Sequence, residues 1–89
     1  MISDHEKQAI LGVCEKYHVE KVLLFGSSQI PNVKANDIDL AVEGVADKDF
    51  FNFYADLMFA VDKPVDLIDL KKDSKFNRLI KHTGTVIYG

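Results

Sequence analysis

Val22-Leu23-Leu24-Phe25-Gly26-Ser27, then Asp37-Ile38-Asp39-Leu40, then Pro64-Val65-Asp66-Leu67-Ile68 are the three stretches that decide how this chain folds. Each pairs a short apolar run with a small or acidic residue. Side chains two apart on a strand share a face. Asp37 and Asp39 therefore point one way, while Ile38 and Leu40 point into a core. Like charges held side by side are unfavourable unless a cation lies between them or one carboxylate takes a proton. Asp66, on a further apolar strand, adds a third carboxylate and favours the cation. Hard oxygen donors without Cys or His select Mg²⁺ or Mn²⁺ rather than zinc. Gly26-Ser27, leading out of a strand, forms a turn whose backbone N–H groups can meet phosphate. Metal and phosphate together point to nucleotide chemistry.

Around these stretches the pattern alternates helix and strand. Ser3-x-x-Glu6 is a capping box that opens a helix, with Ala9, Ile10, Val13, Cys14 and Tyr17 as its apolar stripe and an end near His18. Lys21 to Phe25 reads as a buried strand, Ser27 to Ile30 as a helical turn, and Asp37 to Glu43 as a strand closed by Gly44. Asp47 is the expected N-cap of a helix reaching Val61. Its inner side is expected to carry Phe50, Tyr54, Leu57, Met58 and Val61, with Phe51 and Phe53 on the flanks and Phe59 opposite. Pro64 to Leu70 is the third strand. Phe76, Leu79 and Ile80 mark a last helix ended by Gly84, and Thr85 to Tyr88 an edge strand. The expected architecture is a single α/β (α+β) domain over residues 1–89, a small mixed sheet of about four strands with helices packed against it.

Composition narrows the function. With 89 residues, 47% hydrophobic and 28% charged, the chain builds one packed core in a globular domain. A net charge of −3 argues against a general nucleic-acid binder that depends on neutralising phosphates. No apolar run spans a membrane, and the start Met1-Ile2-Ser3-Asp4-His5-Glu6 lacks the basic opening of a signal peptide. One cysteine, Cys14, allows no internal disulfide and suits a reducing cytoplasm. Its place on an apolar helix face indicates packing rather than reactivity. Asp69 falls on the opposite strand face from Asp66, at the strand's end, and reads as a structural or surface residue. Lys71, Lys72, Lys75, Arg78 and Lys81 read as a solvated face balancing nearby acids. Phe51, Phe53 and Phe59 leave open whether the core widens or a partner is bound.

The order Gly-Ser, loop, Asp-hydrophobic-Asp-hydrophobic and distant Val-Asp-Leu resembles the minimal nucleotidyltransferases of the DNA polymerase beta superfamily. The resemblance implies that Gly26 and Ser27, with Ser28 beside them, hold the phosphates of a nucleoside triphosphate such as ATP. It implies that Asp37 and Asp39 ligate two metal ions and that Asp66 completes the site nearest the attacking hydroxyl. Relatives of this size are often paired with a helical partner of the HEPN class as toxin and antitoxin, and can adenylylate it; an oligomer is also compatible with the resemblance. The basic Arg-Ala-Arg-Gly that usually follows Gly-Ser is here Ser28-Gln29-Ile30-Pro31, with Lys34 the nearby cation. Two readings therefore stand side by side: a transferase moving AMP onto a partner's hydroxyl, and an antitoxin that masks its partner by contact alone. A carboxylate-metal phosphohydrolase fits the metals but accounts less well for the Gly-Ser turn.

Overall fold

The computed structural model describes residues 2–32 and 36–89. Helix α1 spans Asp4–Tyr17, opened by the reciprocal Ser3–Glu6 capping box and closed by His18 in the left-handed conformation. Strand β1 is Lys21–Leu24 and runs into a 3₁₀ turn at Gly26–Gln29. Strand β2 is Ile38–Glu43, helix α2 Phe50–Ala60, strand β3 Val65–Asp69, helix α3 Lys75–Thr83 and strand β4 Thr85–Tyr88. The sheet runs β3-β2-β1-β4, so β4 is an edge as expected. β1 pairs antiparallel with β2 and β4, whereas β2 and β3 are parallel, giving the mixed sheet.

Period-two alternation divides the sheet into two faces. Val22, Leu24, Ile38, Leu40, Val42 and Val65 form the larger core with Ile10 and Cys14 of α1 and Phe53 and Leu57 of α2. Leu23, Ala41 and Leu70 pack with Ile80 of α3 on the other face, joined by Phe25 and Ile68. Asp39 and Asp66, alternating with the first set, belong to this second face. Cys14 is fully buried, and burial pushes its thiol up to about 11, which agrees with a packing role. Among the described residues, no helix is long and apolar enough to cross a membrane.

Two local expectations need correction. Asp47 does not cap α2: Asp47–Asp49 is a 3₁₀ turn, the N-cap is Asp49 without a side-chain bond, and the Asp47 carboxylate accepts from Lys71 Nζ at 2.8 Å. The buried face of α2 is also rotated from the expected stripe. Phe53 is fully buried, edge-on to Tyr17 of α1 at 5.4 Å, whereas Met58 is 50% exposed. Contact with α1 decided this orientation, because a helix apolar nearly all round has several faces that satisfy periodicity alone.

Candidate active site

The parallel pairing of β2 and β3 sets Asp39 directly beside Asp66. Asp37 lies just before β2 and is exposed, rather than within the strand as expected, yet its charge still acts on Asp39. Asp39 is half-buried, and its carboxyl pKa is raised. Burial is the largest cause, followed by the charge of Asp66, the charge of Asp37 and a side-chain hydrogen bond with Asp66. Among the described residues, the ion pairs of Lys16, Lys63, Lys71, Arg78 and Lys81 all go to other acids. Among the described residues, none of these ion pairs reaches Asp37, Asp39 or Asp66, and the charges of Asp66 and Asp37 press on Asp39.

Gly26 comes directly onto this group. It sits at φ 61°, and a Cβ there would lie 2.7 Å from Asp39 Oδ2. Phe25 is extended, and its N–H donates to the Asp39 carbonyl at 3.1 Å, carrying the β1–β2 pairing one step past the end of β1. The 3₁₀ turn has no side-chain cap at its N-terminus. Ser28 behaves differently from its neighbours. Fully buried, its Oγ donates to the Asp37 carbonyl at 3.1 Å and accepts from the Asp39 N–H at 2.9 Å. The hydroxyl is committed to the backbone on both sides of Ile38, a double clamp that spacing alone did not disclose. At the other end of the turn, Gln29 Oε1 accepts from Thr85 Oγ1 at 2.8 Å, tying the turn to β4. Lys34 lies outside the described residues.

Asp69 takes no part. It accepts from the Lys71 N–H at 2.9 Å, while its own carbonyl accepts from Asn77 Nδ2 at 3.2 Å. The basic side chains pair as expected of a solvated face: Lys71 with Asp47, Arg78 with Asp73 and Lys81 with Glu43.

Among the described residues, no three His, Cys, Asp or Glu side chains form a ready-made metal cage. The donor set still fits a hard divalent cation. Mg²⁺ keeps several waters and is commonly held by one or two carboxylates plus substrate phosphates. A crowded pair of facing carboxylates, an exposed third carboxylate and an uncapped turn alongside provide such an open half-site.

A four-stranded mixed sheet bearing a glycine turn pressed onto strand-borne carboxylates defines a nucleotide-transfer fold. A family model described as polymerase beta, nucleotidyltransferase matches residues 8–89, and the chain belongs to that family, as a minimal nucleotidyltransferase. Solved structures agree on the fold. A toxin-antitoxin MntA-HepT structure superposes with TM-score 0.72 at 22% identity, covering 98% of this chain and 73% of that one. A toxin-antitoxin structure with AMP-PNP gives TM-score 0.73 at 26% identity, covering 93% and 73%. A structure from Shewanella oneidensis gives TM-score 0.74 at 19% identity, covering 99% and 73%. No curated protein matches the sequence.

Proposed function

We propose that this domain, acting as a single catalytic unit over residues 1–89, transfers a nucleoside monophosphate, AMP from ATP, onto a hydroxyl of a helical HEPN-type protein partner as the antitoxin of a pair. The observation that carries this is the contact between Gly26 and the Asp39 carboxylate, with Asp66 in register beside it. The contact supports one site made of a turn that would receive phosphate and carboxylates that would hold metal. Toxin-antitoxin neighbours, one of them with AMP-PNP, support the nucleotide and the partner.

Asp37, Asp39 and Asp66 would hold Mg²⁺ or Mn²⁺, which when bound neutralises the triphosphate and stabilises the attacking and leaving oxygens. The backbone of Gly26 and Ser27 receives the outer phosphates, since a glycine lets the chain approach closely. Ser28 contributes by fixing the turn against β2. The acceptor oxygen forms a bond to the α-phosphorus, the bond to pyrophosphate breaks, and pyrophosphate leaves. Asp66, the more exposed of the facing pair, takes the acceptor's proton.

The contact-only reading has its own support. The turn Gly26–Gln29 carries no arginine, and its glutamine is engaged with Thr85, so the turn itself offers no charged side chain to phosphate. ATP labelled on the α-phosphate, incubated with Mg²⁺ and the partner, separates the two. Label covalently attached to the partner, and lost in the Asp37→Asn, Asp39→Asn double variant, is the expected outcome. Neutralisation of the partner by that variant, with no label transferred by the parent, would establish masking by contact.

A further inference from the structure

An aromatic ledge stands beside the carboxylates on the α3 face of the sheet. Phe25 is the residue before Gly26 and the cross-strand neighbour of Asp39 through its backbone bond. Its ring packs edge-on against Phe76, with centroids 6.0 Å apart and planes at 88°. Phe76 is 52% exposed although it sits in the first turn of α3, and Leu79, one turn on, is 57% exposed.

The seating of α3 explains why the ring stays at this edge. Asn77 is buried, its Nδ2 donating to the carbonyls of Asp69 at 3.2 Å and Lys72 at 2.7 Å, while Ser74 Oγ caps the Asn77 N–H. Ile80 inserts between the sheet residues of the smaller core. With Asn77 and Ile80 inward, helical spacing puts Phe76 and Lys81 on opposite flanks. Lys81 pairs with Glu43 at the far end of β2. Phe76 consequently overhangs the end that carries Phe25, Gly26 and Asp39. Its ring is braced on one side by Phe25, and half of its surface is exposed.

We propose that Phe76, braced by Phe25, is the nucleobase platform of the site: with the triphosphate on the Gly26 turn, the base of the nucleotide stacks on the exposed part of the ring. The assignment rests on the nucleotide-transfer reading above and adds to it the residue that recognises the base. Flat aromatic contact of this kind tolerates any base, because every base has a π-face. The ledge therefore contributes affinity for nucleosides over bare phosphate rather than discrimination among bases.

The test titrates ATP and, separately, inorganic tripolyphosphate into the full chain with Mg²⁺. Phe76→Ala is expected to weaken ATP binding about 5- to 10-fold, the low end of the range for losing one base–aromatic stack, and to leave tripolyphosphate binding unchanged. Phe76→Tyr keeps ATP affinity. Phe76→Leu retains the apolar contact with Phe25 but loses ATP affinity as alanine does, and it serves if the alanine variant does not fold. Equal ATP affinity in the parent and a folded Phe76→Leu overturns the assignment, as does parallel loss for both ligands. Unchanged ATP affinity with reduced labelling of the partner overturns it in favour of a contact with the acceptor. A parent that binds neither ligand removes the nucleotide-transfer reading itself, and the platform with it.

Discussion

Gly26→Ala tests the contact on which the site is built. The backbone is at φ 61°, a left-handed conformation that costs a non-glycine residue roughly 1–2 kcal/mol. The new Cβ would also begin 2.7 Å from Asp39 Oδ2, closer than carbon and oxygen can pack, so the carboxylate must turn away. For a domain of this size, a 1–2 kcal/mol loss lowers the melting temperature by roughly 5–15 °C. Gly44→Ala is the matched control. It is strained at φ 86°, and its Cβ would meet the Glu20 side chain, far from the carboxylates. Thermal denaturation of both variants, with and without Mn²⁺ and ATP, is the assay. Both should lose stability, but only Gly26→Ala should also lose the ligand-dependent rise, because a ligand stabilises only the fold that binds it. A Gly26→Ala protein that gains as much from Mn²⁺ and ATP as Gly44→Ala would refute the claim that this glycine brings turn and carboxylates into one site.

Two further outcomes are expected. The metal-free protein should lose stability as pH rises from the ordinary carboxylate range through the raised pKa of Asp39, because the folded state holds that proton more tightly than the unfolded chain does. Asp39→Asn should flatten this decline, add about 0.2–1 kcal/mol at neutral pH by removing the like-charge pairing with Asp66 directly across the strands, and abolish the gain from Mn²⁺; denaturation across pH with and without the ion measures all three. Ser28→Ala leaves the Asp39 N–H without its hydroxyl acceptor in a closed interior and should cost about 1–3 kcal/mol. Urea denaturation reads that loss, and an unchanged midpoint would show that the clamp contributes nothing.

Much of the fold is local, and what is local was legible. The Ser3–Glu6 capping box, the short strands bounded by glycine and proline, and the terminal edge strand each follow from a few adjacent residues. The sharing of one face by Asp39 and Asp66 follows from strand periodicity and parallel pairing once the strands are placed, whereas Asp37 falls just before β2. What escaped the sequence depends on residues distant along the chain. Phe53 rather than Met58 joins Leu57 in the core of α2 because Tyr17, 36 positions earlier, offers its ring there. Asp47 was available to cap a helix, but Lys71 takes its carboxylate and the helix begins three residues later. The Ser28 clamp shows no periodic signal, since its partners are backbone atoms of Asp37 and Asp39 brought in by folding. Likewise, nothing in Lys75-Phe76-Asn77 announces that the phenylalanine will overhang Gly26. Its placement depends on the seating of α3, which Asn77, Ile80 and Lys81 settle together.

The unusual turn fits an altered division of labour better than a lost function. A degenerate domain that only covered its partner would be free to shed carboxylates whose repulsion opposes folding. Here that repulsion is retained and the surrounding structure enforces it: Gly26 packs where a Cβ would collide with the Asp39 carboxylate, Ser28 fixes the backbone on both sides of Ile38, and parallel pairing sets Asp66 alongside. The segment that departs from the family is itself built in, with Gln29 hydrogen-bonded to Thr85 of β4. That neutral bond can do the mechanical part of an arginine's task, holding the turn in shape, but brings no charge to a triphosphate. On the transfer reading, the missing positive charge has to come from divalent ions at the carboxylates, since a bound ion is the largest local charge in such a site. On that reading, metal and nucleotide are expected to bind as one unit, each more weakly without the other.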